Sequence, residues 1–258
     1  MLLACDIGNS SSSFGLFHGE NYDIINAFKT DTAKISSTSD LKKFFSKNVV
    51  LKDVHAISIS SVVPSAEPVY EEFFTKNIKL KPFFISPDIE LNIKICIENR
   101  EKLGSDRIAN ASYARFTNKK FIIIADLGTA LTIDAVDKRG DFLGGIICPG
   151  LNTLVKSLYD STEKLPLVKI GKPKTLIGTN TESAIQSGIY NGTLFLIKGF
   201  IDNICNYYNI CGNDSLNVIF TGGHSGLVFG EISVNAEKTL DEYCTLKGIK
   251  YLYDLNNS

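Results

Sequence analysis

The sequence contains no tryptophan, a single methionine and only three histidines in 258 residues. The histidines, at 18, 55 and 224, fall at no metal-ligand spacing, which argues against a histidine-based metal site. Six cysteines, at 5, 96, 148, 205, 211 and 244, form no CxxC pair, and most lie inside apolar runs. That pattern argues against a zinc site or a disulfide framework and for buried, reduced thiols. No charge sign dominates: 27 basic residues face 28 acidic ones, for a net charge of −1. A nucleic-acid surface needs clustered Lys and Arg, so no nucleic-acid partner is expected. No low-complexity tract accompanies the 44% hydrophobic content, which excludes intrinsic disorder. No apolar run approaches the roughly 18 residues of a membrane span, and the tightest, at 121–125 and 194–197, are strand- or helix-sized. The N-terminus has no basic flank, and Asp6 interrupts its apolar stretch, so it does not read as a signal peptide. A cytoplasmic protein without membrane contact is the expectation.

What is present is an internal repeat. Residues 2–17 read LLACDIGNSSSSFGLF and residues 122–136 read IIIADLGTALTIDAV. Each is an apolar run ending in Asp, then a hydrophobic residue, Gly and small polar residues, then a second strand-like stretch. Asp6 aligns with Asp126, Gly8 with Gly128 and Asn9 with Thr129. A turn and a third apolar run follow both times, giving a three-stranded meander in each half. Elsewhere the spacing predicts a helix around Leu41, Phe44 and Phe45 capped by Ser39, a strand over 55–63, and a helix through Val69, Tyr70, Phe73 and Phe74. Further helices are predicted over 104–116, 151–159 and 181–208, and a strand over 217–220. Strands followed by helices, twice, make an α/β protein of two domains, 1–117 and 118–258. Ala184, Gly188 and Gly192 form a small-residue stripe on the long helix, suited to close packing against another surface.

Three motifs could carry chemistry. A glycine after a strand-end Asp lets backbone approach a phosphate, while the Asp can hold a cation that does so. A lone DIGN is compatible with a plain hairpin turn; two copies at matched positions, each followed by Ser or Thr, point to a polyphosphate held by facing hairpins. Gly104-Ser105-Asp106-Arg107 opens a helix, where Ser105 or Asp106 could be no more than a cap. It could equally supply a carboxylate base beside a cation, which is what phosphoryl transfer asks of a protein. The strand end 220–226, FTGGHSG, is either a tight strand–helix connection or a close approach for a flat ligand or phosphate.

Six blocks in order, DIGNSSSSFGLF at 6–17, LGSDRIAN at 103–110, DLGTALTID at 126–134, GGIICPG at 144–150, GTNTESAIQSG at 178–188 and TGG at 221–223, resemble those of type III pantothenate kinases. That family lies within the superfamily of acetate and sugar kinases, heat-shock proteins and actin. The resemblance implies two duplicated actin-like (ribonuclease H-like) domains with an interdomain cleft, acting as a homodimer. It implies ATP-dependent phosphorylation of pantothenate to 4'-phosphopantothenate, the first step of coenzyme A biosynthesis. By position, ATP phosphates would meet Asp6, Ile7, Gly8, Asn9, Ser10, Ser11, Ser12, Ser13 and Thr129. Asp6 would organise magnesium, and Asp126 would hold a monovalent cation, potassium or ammonium. Asp106 would be the general base, with Gly104, Ser105, Asp106, Arg107 and Thr181 around pantothenate. Two stretches depart from the family pattern: a Tyr-x-Asn-Pro segment is replaced by Ile97-Glu98-Asn99-Arg100, and Leu131 replaces a Thr. Arg100 could add a second cation near the substrate. A non-catalytic nucleotide-binding regulator, or another phosphotransferase of the superfamily, are the alternative functions.

Overall fold

The computed structural model describes residues 1–210, 212 and 215–257. The chain forms two compact units, Met1–Thr117 with Tyr243–Ser258, and Asn118–Glu242. Residues 243–258 therefore join the first unit, whereas the order of strands and helices along the chain predicts the second.

The first unit opens with the meander β1 (Leu2–Ile7), β2 (Ser11–Phe17) and β3 (Ile24–Asp31), followed by α1 (Thr38–Asn48), β4 (Ala56–Ser61) and α2 (Glu67–Phe73). The two-residue strands β5 (Phe83–Phe84) and β6 (Lys94–Ile95) lead to α3 (Ser105–Thr117). Its sheet runs β3-β2-β1-β4-β5, antiparallel through the meander and parallel from β1 to β5. Side chains alternate between faces along each strand. Leu3, Cys5, Ile7, Phe14, Leu16, Ile57 and Ile59 take one face and pack with Leu41, Phe45, Tyr70, Phe73 and Phe74 from α1, α2 and the turn after α2. Phe14 is fully buried, with the Phe28 and Phe45 rings 5.4 and 5.2 Å away. Each such ring stabilises the fold by about 1.5–3 kcal/mol relative to exposure. The N-cap of α1 is Ser37, not Ser39: its Oγ accepts the Asp40 N–H at 3.2 Å, while Asp40 accepts the Ser36 N–H at 3.2 Å. Only Ser37 stands three residues before an acidic partner that can reach back.

The opposite face of this sheet carries Ala4, Asp6, Ser13, Ser58 and Ser60, and α3 and α7 (Cys244–Asn257) pack on it. Here lies the reason the C-terminal helix belongs with the first unit. Gly248 meets the Ala109 backbone so closely that a Cβ would collide with it. Beside that crossing, Thr245 Oγ1 donates to Asn110 Oδ1 at 2.9 Å, and Leu246, Ile249 and Leu252 are buried.

The second unit repeats the plan. β7 (Phe121–Leu127), β8 (Ala130–Val136) and β9 (Asp141–Pro149) form the meander, followed by α4 (Leu151–Asp160), α5 (Thr181–Tyr207), β10 (Leu216–Thr221), α6 (Ser225–Phe229) and β11 (Glu237–Leu240). Its strands run β11-β10-β7-β8-β9, with β10 parallel to both β7 and β11. This is the strand order of the first unit, so the sequence repeat is a repeat of topology. Ile123, Ala125, Leu127, Val218 and Phe220 pack with Leu151 and Val155 of α4 and Ile189, Ile197 and Ile201 of α5. Asn180 caps α5, its Oδ1 accepting the Ser183 N–H at 2.9 Å, in a reciprocal box that leaves Thr181 as the first helical residue.

Of the cysteines, Cys5 and Cys244 are buried, Cys148 and Cys205 half-buried and Cys96 exposed; Cys211 lies outside the described residues. Among the described residues no helix is long and apolar enough to cross a membrane.

Candidate active site

The first Asp-x-Gly turn joins β1 to β2. The Gly8 N–H donates to Ser11 O at 3.1 Å, and a Cβ on Gly8 would stand only 2.9 Å from that oxygen, so the turn closes around a residue without a side chain. Asn9, Ser10 and Ser11 form its exposed tip, and Ser13 is half-buried. Ile7 points into the apolar core and can meet a ligand only through its backbone. Ser12 is fully buried, its hydroxyl 3.3 Å from Tyr70 Oη and 3.0 Å from Thr32 Oγ1. It supports the turn from below rather than facing outward.

Asp6 sits half-buried at the end of β1, in register with Ser13 on one side and Ser60 on the other. Ser60 Oγ is 2.9 Å from Ser105 Oγ at the start of α3. Ser105 Oγ also accepts the Ser61 N–H at 2.8 Å and donates to Ser61 O at 3.0 Å. One proton and two lone pairs are thereby all used, so Ser60 is the donor in its pair with Ser105. Ser105 pins the first turn of α3 onto the end of β4 and has no bonding capacity left for a substrate. Asp106 follows directly, its Oδ1 accepting the Arg107 N–H at 2.8 Å. Burial pushes the Asp106 carboxyl above the usual carboxylate range; the Arg107 N–H and guanidinium pull the other way without cancelling it. A Cβ at Gly104 would collide with Asp106 Oδ1, so the glycine leaves the carboxylate its place. The structure thus brings Asp6, Gly104, Ser105, Asp106 and half-buried Arg107 to one end of one sheet face.

The second turn, at Gly128, has its own bracing. The Gly128 N–H donates to Ala130 O at 3.1 Å, and exposed Thr129 has its carbonyl oxygen held by the Gly150 N–H at 3.0 Å and Thr153 Oγ1 at 2.6 Å. Asp126 stands in register between Thr132 and Thr221. Gly222, at φ +85°, lies against Asp126 Oδ1 with no room for a Cβ. Thr221 is fully buried, and among the described residues its Oγ1 has no hydrogen-bond partner. An acidic oxygen, an unsatisfied hydroxyl and a side-chain-free backbone at one strand end suit a cation with oxygen ligands. Thr181 is exposed at the start of α5, on a different element of this unit.

A family model described as type III pantothenate kinase matches residues 2–203. A protein of that name from Sulfurihydrogenibium sp. is 38% identical over 98% of this chain and 99% of its own. Another from Myxococcus xanthus is 31% identical over the whole of both. The chain belongs to the type III pantothenate kinase family. Among solved structures, a Campylobacter jejuni protein described as a candidate Baf family transcriptional activator superposes with a TM-score of 0.60 at 20% identity, covering 98% of both chains. A ROK family glucokinase from Streptomyces griseus gives 0.56 at 14%, covering 97% of this chain and 98% of its own. These likenesses bear on the fold, which is that of the actin-like kinases.

For a type III pantothenate kinase, the departure at 97–100 is now concrete. Arg100 donates to Pro87 O and lies 3.6 Å from Asp88, so it is engaged at the surface rather than offered as a second substrate cation. Ile97 is half-buried. Thr32 and Ser60 were not picked out from the sequence, and Thr221 only as part of the TGG block, with no link to Asp126. Each lies far along the chain from the motif it touches, and only the duplicated strand order would have marked them. Kinase chemistry implies ATP with magnesium, which on a nucleotide keeps phosphate and water ligands and needs only one or two carboxylates. Asp6 offers one. Among the described residues no group of three or more His, Cys, Asp or Glu forms an all-protein metal cage.

Proposed function

We propose that the protein transfers the γ-phosphoryl group of ATP to the primary hydroxyl of pantothenate, giving 4'-phosphopantothenate and ADP at the entry to coenzyme A biosynthesis. The observation that carries this reading is Asp106, fixed on the first turn of α3 by the Ser60–Ser105 pair and sharing a sheet face with Asp6. Asp106 takes the hydroxyl proton as the oxygen–phosphorus bond forms and the bond to ADP breaks. Its raised pKa makes it a stronger base than an ordinary aspartate. Arg107 faces the polar part of the substrate, with Gly104 and Thr181 as further substrate residues. The turn over 6–13 and Thr129 receive ATP phosphates, and Asp6 positions magnesium, which supplies charge neutralisation when bound. Asp126, with the Thr221 hydroxyl beside it, is the site for potassium or ammonium.

A homodimer belongs to the same reading. Ala184, Gly188 and Gly192 form an outward stripe on α5 that continues to Phe195, which is 66% exposed, and among the described residues a Cβ at either glycine would meet nothing within 4 Å. Ile147 and Tyr207 are also open, at 65% and 80%. So much uncovered apolar surface on one unit suits a second copy of the chain. The reading places the protein in the cytoplasm, where ATP and magnesium are supplied.

The test is ADP release with ATP, magnesium and potassium, comparing pantothenate, sugars and water as acceptors. Pantothenate-dependent release, with the phosphorylated product identified by mass, is expected. Release with a sugar alone would indicate another phosphotransferase, and ATP binding without transfer a nucleotide-binding regulator.

A further inference from the structure

In each unit the residue that follows the third meander strand returns to the Asp-x-Gly turn and ties back its carbonyl oxygens. In the second unit Gly150 does so after β9 through the Thr129 carbonyl. In the first unit the residue is Thr32, directly after β3, and it makes two such bonds. Its N–H donates to Ser10 O at 3.1 Å and its hydroxyl to Gly8 O at 2.6 Å. Ser11 O is already taken by the Gly8 N–H. Since the single Thr32 hydroxyl proton goes to Gly8, Ser12 donates to Thr32, and Tyr70 donates to Ser12. A one-way chain of three hydrogen bonds thus runs from the core to the turn. Tyr70 and Ser12 are fully buried and Thr32 is 8% exposed.

We propose that Thr32 is a positioning residue for ATP, holding the Gly8 and Ser10 carbonyl oxygens away from the side where phosphates approach. A carbonyl oxygen aimed at a phosphate repels it, and glycine peptides rotate with little resistance. Anchoring the Gly8 carbonyl beforehand removes that reorganisation from the binding step. The proposal rests on the reading of the turn over 6–13 as the ATP site.

The test is calorimetric titration with magnesium and a non-hydrolysable ATP analogue, which needs no acceptor and stays valid whatever the second substrate is. Thr32→Val removes the hydroxyl at constant volume, and Thr32→Ala removes it without adding a methyl group. Each is expected to bind the analogue about tenfold more weakly, the scale of one lost hydrogen bond to a part-buried acceptor. Thr32→Ser should return to within about twofold of wild type by the same energy scale, and the KM for pantothenate should not change in any of the three. Asp6→Asn is the reference for the turn itself. Wild-type affinity in Thr32→Val beside weakened Asp6→Asn overturns the role of Thr32 and leaves the ATP site standing. Wild-type affinity in both removes the ATP site and this proposal with it. A serine variant as weak as valine, or loss of cooperative melting in both hydroxyl-free variants, makes Thr32 a residue of packing and overturns the proposal.

Discussion

At the scale of single residues, Asp106 combines a cost to the fold with its proposed use as the base. Burial is the larger cause of its raised pKa, so the folded protein takes up this proton at a higher pH than the unfolded chain does. The ionised carboxylate therefore destabilises the fold at neutral pH, and the cost disappears below about pH 4, where both states are protonated. Asp106→Asn should accordingly melt at a higher temperature than wild type at pH 7, with the gap closing as the pH falls through the carboxylate range. The same variant should lose about 10²–10⁴ in kcat, since the amide keeps the hydrogen bond to Arg107 but cannot accept the substrate proton. Calorimetry across pH and steady-state assays check the two halves. A variant that is less stable, or within about threefold of wild-type turnover, removes Asp106 as a strained base. In the wild type the acid limb of kcat/KM should fall above the range of an unperturbed aspartate.

Among the elements, the α3–α7 crossing is the one on which the site depends. Gly248→Ala would force a methyl group against the Ala109 backbone and lever α3 away from the sheet. An overpacked crossing typically costs about 1–3 kcal/mol, and here kcat should fall with Tm because Asp106 rides on α3. Urea unfolding and turnover measured together test this; loss of stability with kcat intact would uncouple the helix pair from the chemistry. The sequence displayed the meanders, because alternating apolar runs and Asp-x-Gly turns are local signals. It displayed α5 for the same reason. It hid α7, whose buried Leu246, Ile249 and Leu252 are interleaved with Lys247, Lys250 and Tyr251. Lys250 is itself buried, paired with Asp254 at 2.6 Å beneath the Tyr22 ring, so a charged letter marks a core position. The motif residues were legible in identity but not in duty. Ser105 and Ser12 read as ligand contacts, whereas their hydroxyls are spent inside the protein on partners 44 and 58 residues away. Pairings at that distance leave no periodic trace.

At the scale of the whole molecule, the bare stripe on α5 calls for a partner. Gly188→Leu should convert the proposed dimer to a monomer by light scattering at micromolar concentration, since among the described residues nothing lies within 4 Å of a Cβ at that position. A wild type that is already monomeric would refute the dimer. The return of α7 to the first unit has a further outcome, in the order of synthesis. The unit carrying Asp6 and Asp106 is discontinuous, while Asn118–Glu242 is one unbroken stretch. The second unit can close from its own unbroken stretch, whereas the first waits for a helix that follows the whole of the second in the chain. During that interval the face bearing Asp6 and Ser60 lacks one of its covering helices and is open to chaperones and proteases. A chain of residues 1–242 held clear of the ribosome exit tunnel by an unstructured linker should yield a protected fragment from the later half and none from the earlier, although the earlier was made first.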